Sequence, residues 1–301
     1  MRLFCLEVKR VLKSRRTLIL LAVALVMSAA MAYLPIAFES INHPNPDGTK
    51  TELDGIEAIE YKRDLYAAIN GEVTPKKVSE ALKTYQDLIN EYGPLESDTF
   101  PLSVSVKQIV PIRPLLKALP ELYADPLTGI GADLMGIDPE DVAQNYYQRC
   151  VTHLSDVMKN EQRNHSKAQQ QSIDKYAEVD TPFQLYAGLS RDAFDYIELY
   201  IMVLAILCVA ITAPAFSGEY QSGADSILRC TKHGRLKLAV SRILASCAIS
   251  VVTFTVGITL HLLISNLAFG TNCLETSMQM LFSIINLPNI NLGQLQIYLA
   301  L

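Results

Sequence analysis

Three long runs without a charged side chain constrain this chain more than any other feature of its sequence. They cover residues 17–38, 199–218 and 243–274 of 301. A helix needs roughly 20 predominantly apolar residues to cross a bilayer, and each run reaches that length. The sequence therefore predicts an all-α, polytopic membrane protein with at least three transmembrane helices, and it argues against a soluble or disordered chain.

The third run is too long for one perpendicular crossing. As a single helix its 32 residues would extend roughly 48 Å, against a hydrocarbon core of ~30 Å. We therefore expect the third span at 243–263, followed by an outer interfacial segment at 264–293. Residues 294–301 are apolar and resemble the start of a fourth span, which suggests a piece of a longer membrane protein. The alternative is an interfacial tail.

The charges separate cleanly between these runs. Residues 1–16 carry six Lys/Arg and one acid, and residues 219–242 carry five Lys/Arg and two acids, whereas residues 39–198 carry 15 basic and 27 acidic residues. Lys and Arg beside a span stay on the cytoplasmic side. This pattern predicts a multi-pass protein of the plasma (cell) membrane with a cytoplasmic N-terminus, an extracellular domain at 39–198 and a cytoplasmic loop at 219–242.

Two features qualify the N-terminal region. Apolar residues at helical spacing predict an amphipathic interfacial helix over 1–16, although its charges could simply set the topology. In the first span, small residues four apart predict a face for close helix packing. The alternative for this span is a cleavable signal peptide ending near 30–32. The apolar stripe of the N-terminal helix consists of Leu3, Phe4, Val8, Val11 and Leu12. The small residues of the first span are Ala24, Ser28 and Ala32.

The segment 39–198 reads as a mostly α-helical domain. Thr74-Pro75 and Asp138-Pro139 are helix starts, and the second of these helices should continue to about Tyr176. Residues 43–48 should form an irregular loop, and no run alternates as a strand would. In the second span, Pro214 should kink the helix. Cys150 could reach Cys273 in an oxidising exterior.

No catalytic motif accompanies this organisation. The chain lacks a phosphate-binding Gly-Lys-Ser/Thr loop, a His-Glu-x-x-His pair and a Gly-x-Ser-x-Gly elbow. His153 and His165 have no companion ligands nearby, which argues against a metal site. His261, a polar group in the third span, is a functional candidate, but its place near the outer interface favours a hydrated side chain. We therefore expect no enzyme activity, no cofactor and, with a net charge of -5, no nucleic-acid partner.

The segment after the second span is the most specific. It contains Phe-x-x-Glu-x-x-x-Gly, a Leu five residues later, a Thr and a basic residue before the next span. This pattern resembles the cytoplasmic coupling loop of type-two ABC exporter permeases. Ala224 stands where that family usually has Thr, and residues 232–234 lack its usual Pro. The N-terminal helix and large outer domain are similar to a subgroup found in Gram-positive bacteria.

The resemblance implies a permease subunit that works by alternating access. It would pair with a separate ABC-type ATPase subunit and with a second permease copy or paralogue in the lipid bilayer. The acidic domain motivates a cationic peptide or antimicrobial as the substrate hypothesis. The residues implied in ATPase coupling are Glu219, Gly223, Leu228, Arg229, Lys232 and Arg235.

Two other functions fit the same sequence. A non-transporting sensor or adhesion protein would use the outer domain to bind a ligand. A regulatory or assembly subunit would share the permease architecture without moving a substrate.

Overall fold

The computed structural model describes residues 2–45, 49–97, 100–126, 128–189, 191–214, 223, 236–286 and 289–300. The chain forms two compact units. We call Met1–Ile36, Asp192–Leu267 and Ile297–Leu301 the apolar unit, and Ala37–Arg191 with Ala268–Gln296 the polar unit. The prediction of a mostly α-helical membrane protein with at least three helices able to span a bilayer is confirmed.

Helices account for most of the described chain. In chain order they are α1 Arg2–Leu12, α2 Arg15–Ala37, α3 Gly55–Tyr66, α4 Pro75–Tyr92, α5 Leu102–Val104, α6 Val110–Leu116, α7 Leu119–Leu122, α8 Pro139–Glu161, α9 Ser166–Ala177, α10 Arg191–Thr212, α11 Leu236–Phe269 and α12 Leu292–Ala300. A π-helical turn, Ser105–Ile109, joins α5 to α6, and short 3-10 turns lie at Ala67–Ile69, Leu134–Gly136, Asn272–Glu275 and Met278–Met280.

The third long apolar helix differs from its predicted limits. α11 is continuous over 34 residues and ends just before Gly270, whose φ of +87° stops the helix. It therefore runs past the predicted turn at 264. It also includes residues 236–242, which the sequence assigned to the cytoplasmic loop. Lys237 and Arg242 do not interrupt it because Lys and Arg are good helix formers.

The second long helix also differs from expectation. α10 ends at Thr212, two residues before Pro214, and the residues that directly follow Pro214 lie outside the described ones, so the expected kink there stays a prediction. A proline disfavours the helical conformation of the residue that precedes it, and this is consistent with the end of α10 at Thr212. Residues 215–218 of the predicted span lie outside the described residues.

The predicted small-residue face of α2 is confirmed. Ala24, Ser28 and Ala32 are at most 2 % exposed, so this face is covered within the apolar unit. Ala24 belongs to a buried cluster with residues of α10 and α11. In lipid there is no hydrophobic driving force for helices to associate, so their packing depends on small side chains that let the backbones approach closely. The covering residues of that cluster are Ile197, Tyr200, Leu204, Ile258 and Leu262.

The polar unit is built around α4 and α8. Both helices begin where the sequence predicts: Thr74 accepts a hydrogen bond from the Lys77 amide at 3.2 Å, and Asp138 accepts one from the Glu140 amide at 3.0 Å. The expected single helix to Tyr176 is wrong, since residues 162–165 separate α8 from α9. Asn and His there are weaker helix formers than the residues around them. The shared core includes Val78, Leu82, Val142, Tyr146, Leu154 and Phe183.

Two short antiparallel ribbons complete the polar unit. β1 (Ser40–Pro44) pairs with β2 (Lys50–Asp54), and β3 (Gly71–Val73) pairs with β4 (Phe183–Leu185). The expectation of an irregular loop starting at residue 43 is therefore wrong for the last two residues of β1. Pro is tolerated there because a two-stranded ribbon leaves one edge of each strand unpaired.

The segment after α11 belongs to the polar unit, although the sequence suggested a separate interfacial stretch. The Ser277 amide donates to the Gln184 carbonyl at 2.9 Å, and Thr276 exchanges hydrogen bonds of 2.9 Å with the Tyr186 backbone. Cys150 and Cys273 are both buried free thiols, so the disulfide considered between them is not formed.

Candidate functional site

The predicted coupling residues fall almost wholly outside the described chain. Gly223 is described: it lies in a turn with φ +71°, and a Cβ added there would meet nothing within 4 Å. This backbone conformation favours glycine. The other five predicted coupling residues lie outside the described residues: Glu219, Leu228, Arg229, Lys232 and Arg235.

An ion pair connects α1 to the beginning of α11. The Arg242 Nε lies 3.7 Å from Glu7 Oε2, with side-chain exposures of only 6 % and 12 %. Arg10 Nη1 approaches the same oxygen at 3.4 Å. A charge removed from water is tolerated when an opposite charge accompanies it. Sequence reasoning missed this contact because it treated Arg242 only as a determinant of topology and Glu7 only as an isolated acid.

α1 presents two faces of opposite character. Glu7 shares the half-buried face with the apolar residues at helical spacing, and the opposite face is exposed. The predicted amphipathic helix is present, but four of its five stripe residues are half-buried and only Leu12 is exposed. The half-buried face consists of Leu3, Phe4, Glu7, Val8 and Val11.

A buried polar cluster lies among the three long helices of the apolar unit. The Ser28 hydroxyl on α2 donates to the Gly257 carbonyl on α11 at 2.7 Å. The Tyr200 hydroxyl on α10 donates to the Ala24 carbonyl at 3.5 Å. The Tyr200 ring stacks on His261 of α11, with centroids 5.2 Å apart and planes 8° from parallel. Each of the three helices thus contributes polar groups to one place.

Gly257 makes this approach of the helices feasible. A Cβ there would lie 2.5 Å from the Tyr200 hydroxyl and 3.0 Å from Leu204 Cδ2. Since real Cβ atoms do not come so close, only glycine admits Tyr200 in this position. The sequence signal for the cluster was the small-residue spacing on α2; nothing in the sequence identified Gly257 as its partner.

His261 is 2 % exposed, so the expectation of a hydrated interfacial histidine is wrong. The reason is that α11 continues for eight residues beyond it, which keeps it inside the helix packing. Its ring stacks on Tyr200, and its Nδ1 has no hydrogen-bond partner among the residues that the structure describes. Polar groups at such positions in spanning helices are commonly functional.

In the polar unit, a cluster of hydrogen-bonded polar side chains surrounds Asp141. Its carboxylate accepts hydrogen bonds from the Tyr123 hydroxyl at 2.7 Å, Asn145 Nδ2 at 2.7 Å and Arg149 Nη2 at 2.9 Å. The Tyr123 and Asn145 hydrogen bonds, with Arg149, lower the pKa of Asp141. Burial and the Asp141 hydrogen bond raise the pKa of Tyr123. Each of these side chains is hydrogen-bonded, and Tyr123 directly follows α7. The cluster therefore links the end of α7 to α8, which is a structural role.

Within the described ranges, no group of three or more His, Cys, Asp or Glu side chains could hold a metal ion. Comparison with protein-family models, with curated proteins and with solved structures finds nothing that matches this chain. The membrane character of the chain therefore rests on its three long apolar helices.

Proposed function

We propose that this chain is the permease subunit of an ATP-driven exporter. It would work with a separate ABC-type ATPase and a second permease copy or paralogue, in a plasma membrane and with its N-terminus in the cytoplasm. The pattern of Glu219, Gly223 and Leu228 supports this proposal. The observation that carries it is the Glu7–Arg242 pair, because it ties α1 to the helix that directly follows the proposed coupling loop.

This contact suggests how force from an ATPase would reach the membrane. An ATPase docked on residues 219–235 would move the start of α11. The pair between Glu7 and Arg242 would then carry α1 along with it. Further along the same helix, Gly257 is hydrogen-bonded to Ser28, so a displacement of α11 would also act on α2. Alternating access would follow from such a shift in a permease dimer.

The charge of the segment 39–198 supports a cationic substrate. With 15 basic and 27 acidic residues, it would raise the local concentration of cationic peptides through long-range attraction. We propose a peptide or antimicrobial as the cargo and assign no recognition residues for it.

The test is capture of the ATPase by the full-length chain from its native membrane, with identification by mass spectrometry. Gly223→Arg with Leu228→Asp should abolish recovery of a chain that carries a Gly-x-x-x-x-Gly-Lys-Ser/Thr loop. The matched control is Gly129→Arg with Ile130→Asp, because Gly129 has a comparable φ of +68° and Ile130 is 70 % exposed. Absence of such an ATPase from the unmodified chain would overturn the proposal. Recovery with the loop variant would refute the coupling role of this loop.

The polar unit favours a second candidate, a sensor or adhesion protein. It has its own buried core, with Leu82, Val142 and Leu154 fully covered, and so could present a ligand-binding surface without transport. Binding of a cationic peptide by the full chain, with no ATPase captured under conditions that preserve such complexes, would favour this alternative.

A further inference from the structure

The exposed face of α1 concentrates positive charge in one row. Arg2, Lys9 and Lys13 are all exposed. Lys13 continues the helical turn, since its amide donates to the Lys9 carbonyl at 3.0 Å. At 3.6 residues per turn these three side chains fall within about 40° of one another, spaced roughly 10 Å and 6 Å along the axis. The face is therefore a narrow cationic row and not a diffuse charge.

The only acidic residue among residues 1–16, Glu7, does not lie in that row. Glu7 points to the opposite, half-buried face, where it meets Arg242 and Arg10. Among the residues that the structure describes, no carboxylate of α1 therefore offsets the three cations of its exposed face.

Apolar side chains flank the cationic row. Leu6 is 62 % exposed on one side of it and Leu12 is 40 % exposed on the other. Two further exposed cations, Arg15 and Arg16, follow at once, at the start of α2. Leucines beside cations at the end of a spanning helix match the boundary of a bilayer, where apolar groups enter the acyl region and cations meet the headgroups.

We infer that this face of α1, together with Arg15 and Arg16, is a binding surface for anionic phospholipids. The lysine and arginine side chains pair with lipid phosphates, and the two leucines enter the acyl boundary. Clusters of four to eight basic residues beside a spanning helix have the charge that such lipids select. The inference does not depend on transport or on an ATPase, so its failure would leave the proposed function untouched.

The experiment measures lipid preference on the full chain in a neutral detergent. A fluorescent phosphatidylglycerol is bound to the purified protein and displaced by unlabelled phosphatidylglycerol or phosphatidylcholine with the same acyl chains. We expect a clear preference for phosphatidylglycerol that weakens in high salt. Arg2→Gln, Lys9→Gln and Lys13→Gln together should reduce this preference by on the order of 100-fold, at about fivefold per cation.

The matched control removes three exposed lysines of the polar unit, with Lys50→Gln, Lys117→Gln and Lys167→Gln. Its net charge equals that of the α1 variant, so its preference should stay within about twofold of the unmodified chain. A charge-preserving variant, with Arg2→Lys, Lys9→Arg and Lys13→Arg, should retain the preference and shows that loss is not a folding defect.

Three results would overturn the inference. The first is an unchanged preference in the α1 variant, and the second is an equal loss in the control. The third is displacement of the labelled lipid by soluble glycerol phosphate as effectively as by phosphatidylglycerol, which would indicate a site for free phosphate. If the α1 variant keeps its lipid preference but no longer captures an ATPase, the row contacts a protein instead.

Discussion

The Ser28 hydroxyl donates a 2.7 Å hydrogen bond to the Gly257 carbonyl, across the interface of two helices that are each long enough to span a membrane. The donor is fully buried. The Gly257 carbonyl lies inside a helix, where it is a partner in the helical hydrogen bonding. For it also to accept from Ser28, the two helices have to approach very closely. That closeness is supplied by Gly257 itself, which lacks a side chain, and by the neighbouring small residues Ala24 and Ala32.

Replacing Gly257 with Ala should therefore disturb this interface. The new Cβ would lie 2.5 Å from the Tyr200 hydroxyl, and Tyr200 is fully buried, so the helices have to move apart. We expect destabilisation of about 1–3 kcal/mol, measured as a lower midpoint of thermal unfolding of the full chain in detergent. Adding Tyr200→Phe should recover part of the loss, because it removes the clashing oxygen.

The control for this variant is Gly136→Ala. An added Cβ at Gly136 meets nothing within 4 Å, so the unfolding midpoint should barely change. A Gly257→Ala chain as stable as this control would mean that the three helices do not pack as described.

The pair formed by Glu7 and Arg242 should contribute coupling energy. In a double-mutant cycle with Glu7→Gln and Arg242→Gln, we expect a coupling of about 1 kcal/mol or more, because both side chains are mostly buried. The measurement is thermal unfolding of the two single variants and the double variant in detergent.

An exposed ion pair of nearly equal length provides the comparison. Lys76 Nζ lies 3.8 Å from Glu80 Oε1, but the two side chains are 84 % and 67 % exposed. The same cycle on this pair should yield less than about 0.5 kcal/mol. Equal coupling energies for the two pairs would contradict the link between α1 and α11.

Acidification should act through His153 on α8. Burial lowers the pKa of His153, while Glu121 and Asp156 oppose that shift. The unfolded chain therefore binds a proton at higher pH than the folded chain. Stability is present above the ordinary histidine pKa of about 6.5 and is lost as the pH falls below it.

We expect the unfolding midpoint of a His153→Gln chain to fall less between pH 7.5 and pH 5.5 than that of the unmodified chain. The matched control is His165→Gln, since His165 is an exposed histidine of the same unit. If both variants lose stability to the same extent on acidification, burial of His153 does not govern this pH dependence.

Tyr147 should be important for the association of β3, β4 and α8. Its hydroxyl donates to the Val73 carbonyl and accepts from the Phe183 amide at 3.0 Å. Tyr147→Phe leaves both backbone groups without this partner, so we expect a loss of about 1–3 kcal/mol in thermal unfolding. Tyr33→Phe is the control, because Tyr33 is 59 % exposed; an equal effect of the two changes would argue against the role of the Tyr147 hydroxyl.

The sequence predicts the parts of this fold that depend on local signals. Runs of apolar residues identify the long helices, and Thr74 and Asp138 mark helix starts through capping chemistry. The limits of α11 are harder to predict, because no proline or charged side chain between Arg242 and Gly270 marks its end. β3 and β4 are too short for a pattern of alternation, and their partners are more than one hundred residues apart in the chain.

In the candidate site, too, local sequence signals predict some features, and contacts between distant residues determine the others. The spacing of Ala24, Ser28 and Ala32 predicts a packing face, and the structure confirms it. The hydrogen-bond partner of Ser28 on that face is Gly257 of α11, and no periodicity connects residues 229 positions apart. The role of the residues around Gly223 stays a prediction, carried by the resemblance of residues 216–237.

The polar unit is assembled from two separate stretches of chain, Ala37–Arg191 and Ala268–Gln296, and this has a consequence for membrane insertion. Two stretches that share one folded body must emerge on the same side of a bilayer. The chain between them therefore has to cross an even number of times, and α10 and α11 are each long and apolar enough for one such crossing. An even number of crossings is also what the distribution of Lys and Arg on either side of these helices predicts.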